Sequence, residues 1–182
     1  LRLPFIKETS LGHEILHSYF GNSISISPDS GNWCEGLTTY LADMAYREDN
    51  REGDLARKEK ILEYLSYVEP DTPPLKDFYY AGHSSHTNRG TRAIGYGRAA
   101  LLFHELRNRL GDNLFGRTIQ LFYQRYQSSE ASWQDIQDLF EETSSINLDQ
   151  FFTERLSTVE LPHLDVKNVQ LRQQVDRTSL SF

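Results

Sequence analysis

The chain has 182 residues, with 19 Lys+Arg against 26 Asp+Glu, a formal net charge of −7 and an isoelectric point near 5.4. That balance argues against nucleic acid as a partner, because phosphate binders carry a basic footprint. Hydrophobic residues make up 38% and mean hydropathy is −0.59, the composition of a soluble globular protein with one sizeable core. No run of about 18 apolar residues marks a transmembrane segment, and the single cysteine excludes an internal disulfide.

Thr9 or Ser10 caps a first helix reaching to about Phe20, where Gly21-Asn22 stops it, and Leu11, Ile15, Leu16 and Phe20 form its expected buried stripe. Within it, His13, Glu14 and His17 spell H-E-x-x-H. Side chains four apart rise from one helical face a turn apart. Two imidazoles so placed can bind one metal ion, with the glutamate leaning toward a water beside it. Zinc chemistry asks for this set: neutral nitrogen ligands, an open coordination position and a nearby proton acceptor. The bland alternative is two histidines and a glutamate on an ordinary amphipathic helix.

A polar loop over residues 23–32 leads to a second helix near 33–48, and Glu35 stands at its start with 17 residues between it and His17. Two His and one Glu form a known zinc-binding set, although a carboxylate in a first helical turn also gains from the dipole. These two segments make the chain a candidate metallopeptidase. Thr39, one turn on, either steadies a metal ligand through a hydrogen bond or simply packs. Cys34 is expected to point elsewhere as a buried, unreactive thiol, and Trp33 to pack the helix entrance.

Residues 51–67 read as a charged helix with Leu55, Ile61, Leu62 and Leu65 as its apolar face and Lys58, Glu59, Lys60 and Glu63 as a solvated one. Glu69-Pro-Asp-Thr-Pro-Pro ends it, and residues 75–92 read as a loop. His83 and His86 there are candidates for substrate contact or a second metal site, against the plainer reading of solvated loop histidines. Four helices follow near 92–110, 113–126, 133–144 and 148–157, with Gly111-Asp112 as a stop-and-cap pair and Ser132 with Asp135 as a capping box. Phe103, Phe115, Phe122, Tyr123, Tyr126, Phe140, Phe151 and Phe152 are core candidates. Beyond Leu161-Pro162, residues 166–175 alternate with strand period, and 178–182 offer a hairpin partner.

His-Glu-Ile-Leu-His-Ser-Tyr-Phe-Gly-Asn at 13–22, followed by Glu-Gly-Leu-Thr-Thr-Tyr at 35–40, resembles the aminopeptidase-N family of zinc peptidases, the thermolysin-like gluzincins. The family pattern is H-E-x-x-H-x-x-F/W-G-N and then N-E-G-x-x-x-Y. Here the spacer is one residue shorter than usual, and Cys34 stands where Asn is customary. Residues 94–112 resemble the family's Y-x-K-G-A-x-x-L-x-x-L-R-x-x-L-G-D helix, with Arg98-Ala99 replacing Lys-Gly. The likeness covers residues from about 5 to 160.

It implies a mainly α fold, the C-terminal helical half of a thermolysin-like catalytic domain over residues 1–160, with 161–182 beginning a β-domain. It implies one Zn²⁺ held by His13, His17 and Glu35, Glu14 as general base, and Tyr96 supporting the oxyanion of a peptide or protein substrate. A β lobe and a G-A-M-E-N loop that grips the substrate amine normally precede the zinc helix in this family. The chain, which starts Leu-Arg-Leu-Pro-Phe, is therefore expected to be a piece of a larger polypeptide whose other domains complete the site. A catalytically silent gluzincin-fold scaffold and a hydrolase of non-peptide substrates stand as alternatives.

Overall fold

A computed structural model describes residues 10–69, 72–79, 89–159, 170–174 and 177–181. Helix α1 is Leu11–His17. Strand β1, Ile24–Ile26, follows. Helix α2 runs over residues 34–49, α-helical at Cys34–Thr38 and Ala45–Asp49, with a π-helical stretch at Thr39–Met44 between them. Helix α3 is Gly53–Tyr67, and a 3₁₀ turn occupies Leu75–Asp77. Helix α4 runs over residues 89–110, again with a π-helical stretch, Ala93–Arg98. Then come α5 at Asp112–Tyr126, β2 at Ser129–Ala131, α6 at Trp133–Ser144 and α7 at Asp149–Ser157. Strands β3 (Gln170–Gln174) and β4 (Arg177–Ser181) form an antiparallel hairpin. No described helix is long and apolar enough to cross a membrane.

Local chemistry explains most boundaries. Ser132 accepts from the Asp135 amide while the Asp135 carboxylate accepts from the Ser132 amide, a complete capping box at the start of α6. Gly111, at φ +84°, lets the chain turn out of α4 and straight into α5. Ser10 occupies the N-cap of α1 but makes no side-chain cap bond, and α1 ends at His17 rather than Phe20.

The core is aromatic. Phe20, Trp33 and Phe122 meet with ring centroids 5.2–6.4 Å apart, and Trp33 Nε1 donates to the Ala131 carbonyl at 2.7 Å. The six core phenylalanines expected from sequence are buried, while Tyr123 and Tyr126 are partly so. Helices α2 and α4 cross at Gly36, where an added Cβ would lie 2.2 Å from that of Ala99. This close approach sets the helix of Glu35 against the helix of Tyr96.

Two expected faces turn outward in part or whole: Leu16 and Phe20 of the α1 stripe pack on the core, but its other members do not. Leu11 and Ile15 are 42% and 52% exposed, and Leu55, Ile61, Leu62 and Leu65 are all exposed. Helix α3 packs through Gly53, Ala56 and Tyr64, a face too thin in apolar residues to stand out in sequence. The loop at 23–32 also hides a strand: β1 pairs in parallel with β2, Ile24 opposite Ser129 and Ile26 opposite Ala131.

Candidate metal centre

Helix α1 presents His13 and His17 from consecutive turns, and α2 brings Glu35 to meet them. His13 Nε2 lies 3.3 Å and His17 Nε2 3.4 Å from Glu35 Oε2. The three donors lie within 4.8 Å of one another. Metal–ligand bonds of about 2.0–2.2 Å in a tetrahedron require donor separations of about 3.3–3.6 Å, and both nitrogen-to-carboxylate distances meet that requirement for zinc.

The outward nitrogen of each imidazole is held. His13 Nδ1 donates to Asp43 Oδ2 at 3.1 Å, and His17 Nδ1 donates to the Phe20 carbonyl at 3.1 Å. Both bonds place the ring proton on Nδ1 and aim Nε2 at the cage. Asn32 fixes the carboxylate's helix: its Oδ1 accepts from the amides of Cys34 (2.9 Å) and Glu35 (3.3 Å), satisfying two open donors of the first turn. Cys34 does not point away, as expected from sequence. Its Sγ donates to the Phe20 carbonyl at 2.7 Å and lies 3.2 Å from His17 Nδ1. Gly21 makes room for it: at φ +115° the chain turns sharply after the α1 helix, and a Cβ there would approach Sγ to 2.9 Å.

Thr39 is buried on α2. Its Oγ1 has no hydrogen-bond partner among the described residues, and the residue lines a side chamber. The neighbouring Thr38 is the hydroxyl at the cage, 3.3 Å from His13 Nε2 and donating to the Cys34 carbonyl. His83 and His86 lie outside the described residues.

Charge in the cage is shared. Burial works against a proton on His13, but hydrogen bonds to Asp43 and Glu35 outweigh it and lift the imidazole to about 9. The hydrogen bonds to Cys34 and Glu35 lift His17 to about 10 against its burial. Burial alone would raise Glu35, yet the two imidazoles hold it at about 2. Burial pushes the Cys34 thiol up.

The donors open onto a cleft of about 800 Å³ lined also by Glu14, Asp43, Arg92 and Tyr96. Glu14 is exposed on α1 between the two histidines. The Tyr96 ring, on the π-helical stretch of α4, runs within 12° of parallel to that of His13, with centroids 6.3 Å apart. The structure thus brings His13, His17, Glu35, Glu14 and Tyr96 to one cleft. Asp43, Asn32 and Thr38 escaped the sequence reading. Asp43 lies 30 residues from His13 on another helix, within the π-helical stretch.

Residues 7–155 match the family model described as the peptidase family M1 domain. Among solved structures, the chain is similar to an M1 zinc metallopeptidase from Deinococcus radiodurans in a glutamate-to-alanine mutant, with 22% identity and a TM-score of 0.65 over 84% of this chain and 33% of that one. The same mutant bound to a Tyr-Ser-Ala substrate gives 22% and 0.63 with the same coverage. A two-domain M1 zinc metallopeptidase mutant bound to L-tryptophan gives 21% and 0.67, again over 84% and 33%. The chain therefore spans about a third of the length of these structures, and the likeness speaks to the fold.

Proposed function

Since the chain belongs to peptidase family M1, we propose that it supplies the metal-binding half of the active site of a zinc-dependent, aminopeptidase-type peptidase. The observation that carries this reading is the convergence of the His13, His17 and Glu35 donors within 4.8 Å of one another beside an accessible carboxylate. His13 Nε2, His17 Nε2 and the Glu35 carboxylate would hold the ion, which when bound supplies Lewis acidity to the attacking water and the scissile carbonyl. Glu14 removes a proton from the attacking water as its oxygen bonds to the carbonyl carbon. The same carboxylate returns that proton to the amine nitrogen as the C–N bond breaks. Tyr96 donates its hydroxyl to the oxygen on which negative charge develops. Residues 1–160 are taken as part of the catalytic domain and 161–182, with the hairpin, as the beginning of a β-domain.

The test is Glu14→Gln in the full-length protein, assayed on amino-acid anilides and on peptides with free or blocked N-termini. The variant should keep its zinc, measured by emission spectroscopy, and lose turnover by about 10²–10⁴-fold, the usual contribution of a positioned base. Turnover equal to the parent would remove Glu14 from the mechanism. Preference for free over blocked N-termini in the parent supports the aminopeptidase reading, and the reverse order sinks it.

A further inference from the structure

Arg92 stands one turn before Tyr96, with its guanidinium carbon 4.9 Å from the centre of the Tyr96 ring. It is exposed, and it lines both the cleft and a side chamber of about 330 Å³; Asp43, Arg92 and Tyr96 are common to the two. The other charges of that chamber are committed. Lys60 pairs with Glu63 at 3.0 Å, and Asp43 holds His13. Arg89 donates to the Tyr67 hydroxyl at 3.2 Å and lies over that ring. Among the described residues, Arg92 forms its ring contact and no ion pair.

A guanidinium resting on an aromatic face keeps its in-plane N–H fork for a planar anion. The planar anion a peptide offers is a carboxylate, which accepts two parallel bonds from that fork. The path from Arg92 across Tyr96 to His13 is no longer than about four extended residues, at roughly 3.3–3.6 Å each. An anion held there belongs to a residue near the bond being cleaved. Resting on the peptidase reading above, we propose that Arg92 is a substrate-recognition residue that pairs with a carboxylate of the bound peptide close to the scissile bond. The carboxylate is either the C-terminus of a short peptide or an acidic side chain.

Two matched peptide pairs separate these sources in the full-length protein. One pair differs by a C-terminal carboxylate against a carboxamide on a short peptide, the other by Glu against Gln beside the scissile bond. Dissociation constants are measured by calorimetry in the zinc-loaded Glu14→Gln background, and kcat/KM in the parent. The parent should favour the anionic member of at least one pair by about 10–100-fold, the worth of a charge-assisted hydrogen bond. Arg92→Ala should bring that ratio to about one, and Arg92→Lys, which keeps charge but loses the fork, should fall between.

Because the readout is a ratio within each variant, a general loss of activity does not mimic it. Arg92→Gln replaces the alanine variant if that one fails to fold. No preference in either pair, or a preference that survives removal of the guanidinium, overturns the role of Arg92 even if peptides are cleaved. A parent that cleaves no peptide fails the peptidase reading instead, and the ratio of dissociation constants then decides Arg92 alone.

Discussion

Asp43 shows how much a residue outside the motif contributes to the cage. Its carboxylate accepts the Nδ1 proton of His13 and fixes both the tautomer and the direction of Nε2. Asp43→Ala should weaken zinc affinity by about 10–100-fold, measured by competition with a chromophoric chelator. Asp43→Asn, which keeps an acceptor oxygen, should lose less. An alanine variant with the parent's affinity would show that the backbone alone aims His13. The segments that carry His13, His17 and Glu35 were legible in sequence because their signal is local: the two imidazoles stand four positions apart, and Glu35 opens the next helix. Asp43 was not, because its partner His13 lies 30 residues away on another helix and no local spacing joins the two. The direction of the Cys34 side chain was not legible either, because its partners Phe20 and His17 lie 14 and 17 residues away. Gly21 leaves the space that the thiol fills.

Among elements, the crossing of α2 and α4 matters most, since each carries part of the cleft. Gly36→Ala sets two effects against each other. Alanine in a helix gains up to about 1 kcal/mol over glycine. The added methyl would stand 2.2 Å from the Ala99 Cβ and 3.0 Å from its carbonyl carbon, so backbone has to move. Overpacking of that kind costs about 1–3 kcal/mol, and the clash should win. The expected result is a lower urea midpoint with an unchanged slope, together with reduced turnover as Glu35 and Tyr96 separate. A stabilised variant would mean that the helices slide apart freely. The helices themselves were readable from their stops and caps, Gly111 and the Ser132–Asp135 box among them. Their buried faces were less so. Helix α3 leaves its leucines outside and packs through Ala56 and Tyr64, because the neighbour it meets is the π-helical stretch of α4, where Gly97 lies against Lys60. The β1–β2 pair joins three-residue strands about a hundred positions apart, too short for periodicity to register.

For the molecule as a whole, the cage links metal, protons and stability. Glu35 sits at about 2 in the fold against an ordinary 4.5, so it stabilises the fold above pH 4.5 and loses that contribution as pH falls toward 2. His13 and His17 sit at about 9 and 10 against 6.5, so their contribution is complete below pH 6.5 and is lost as pH rises through 9 and 10. The metal-free protein should therefore weaken on the alkaline side of neutrality. Zinc reverses that trend. Its nitrogen ligands must be neutral, so loading the cage releases the two imidazole protons, and a divalent cation takes over their charge opposite Glu35 and Asp43. Apparent affinity should then rise with pH, by at most about two decades per unit while both rings start protonated. At fixed free zinc, the gain in Tm over the chelator-treated protein grows with the logarithm of affinity. Thermal melts of the full-length protein at pH 6.0, 7.0 and 8.0, in a zinc buffer and in chelator, should show that gain widening at each step. A gain independent of pH would mean that the bound ion displaces no imidazole proton, and that the cage of α1 and α2 is not where it sits.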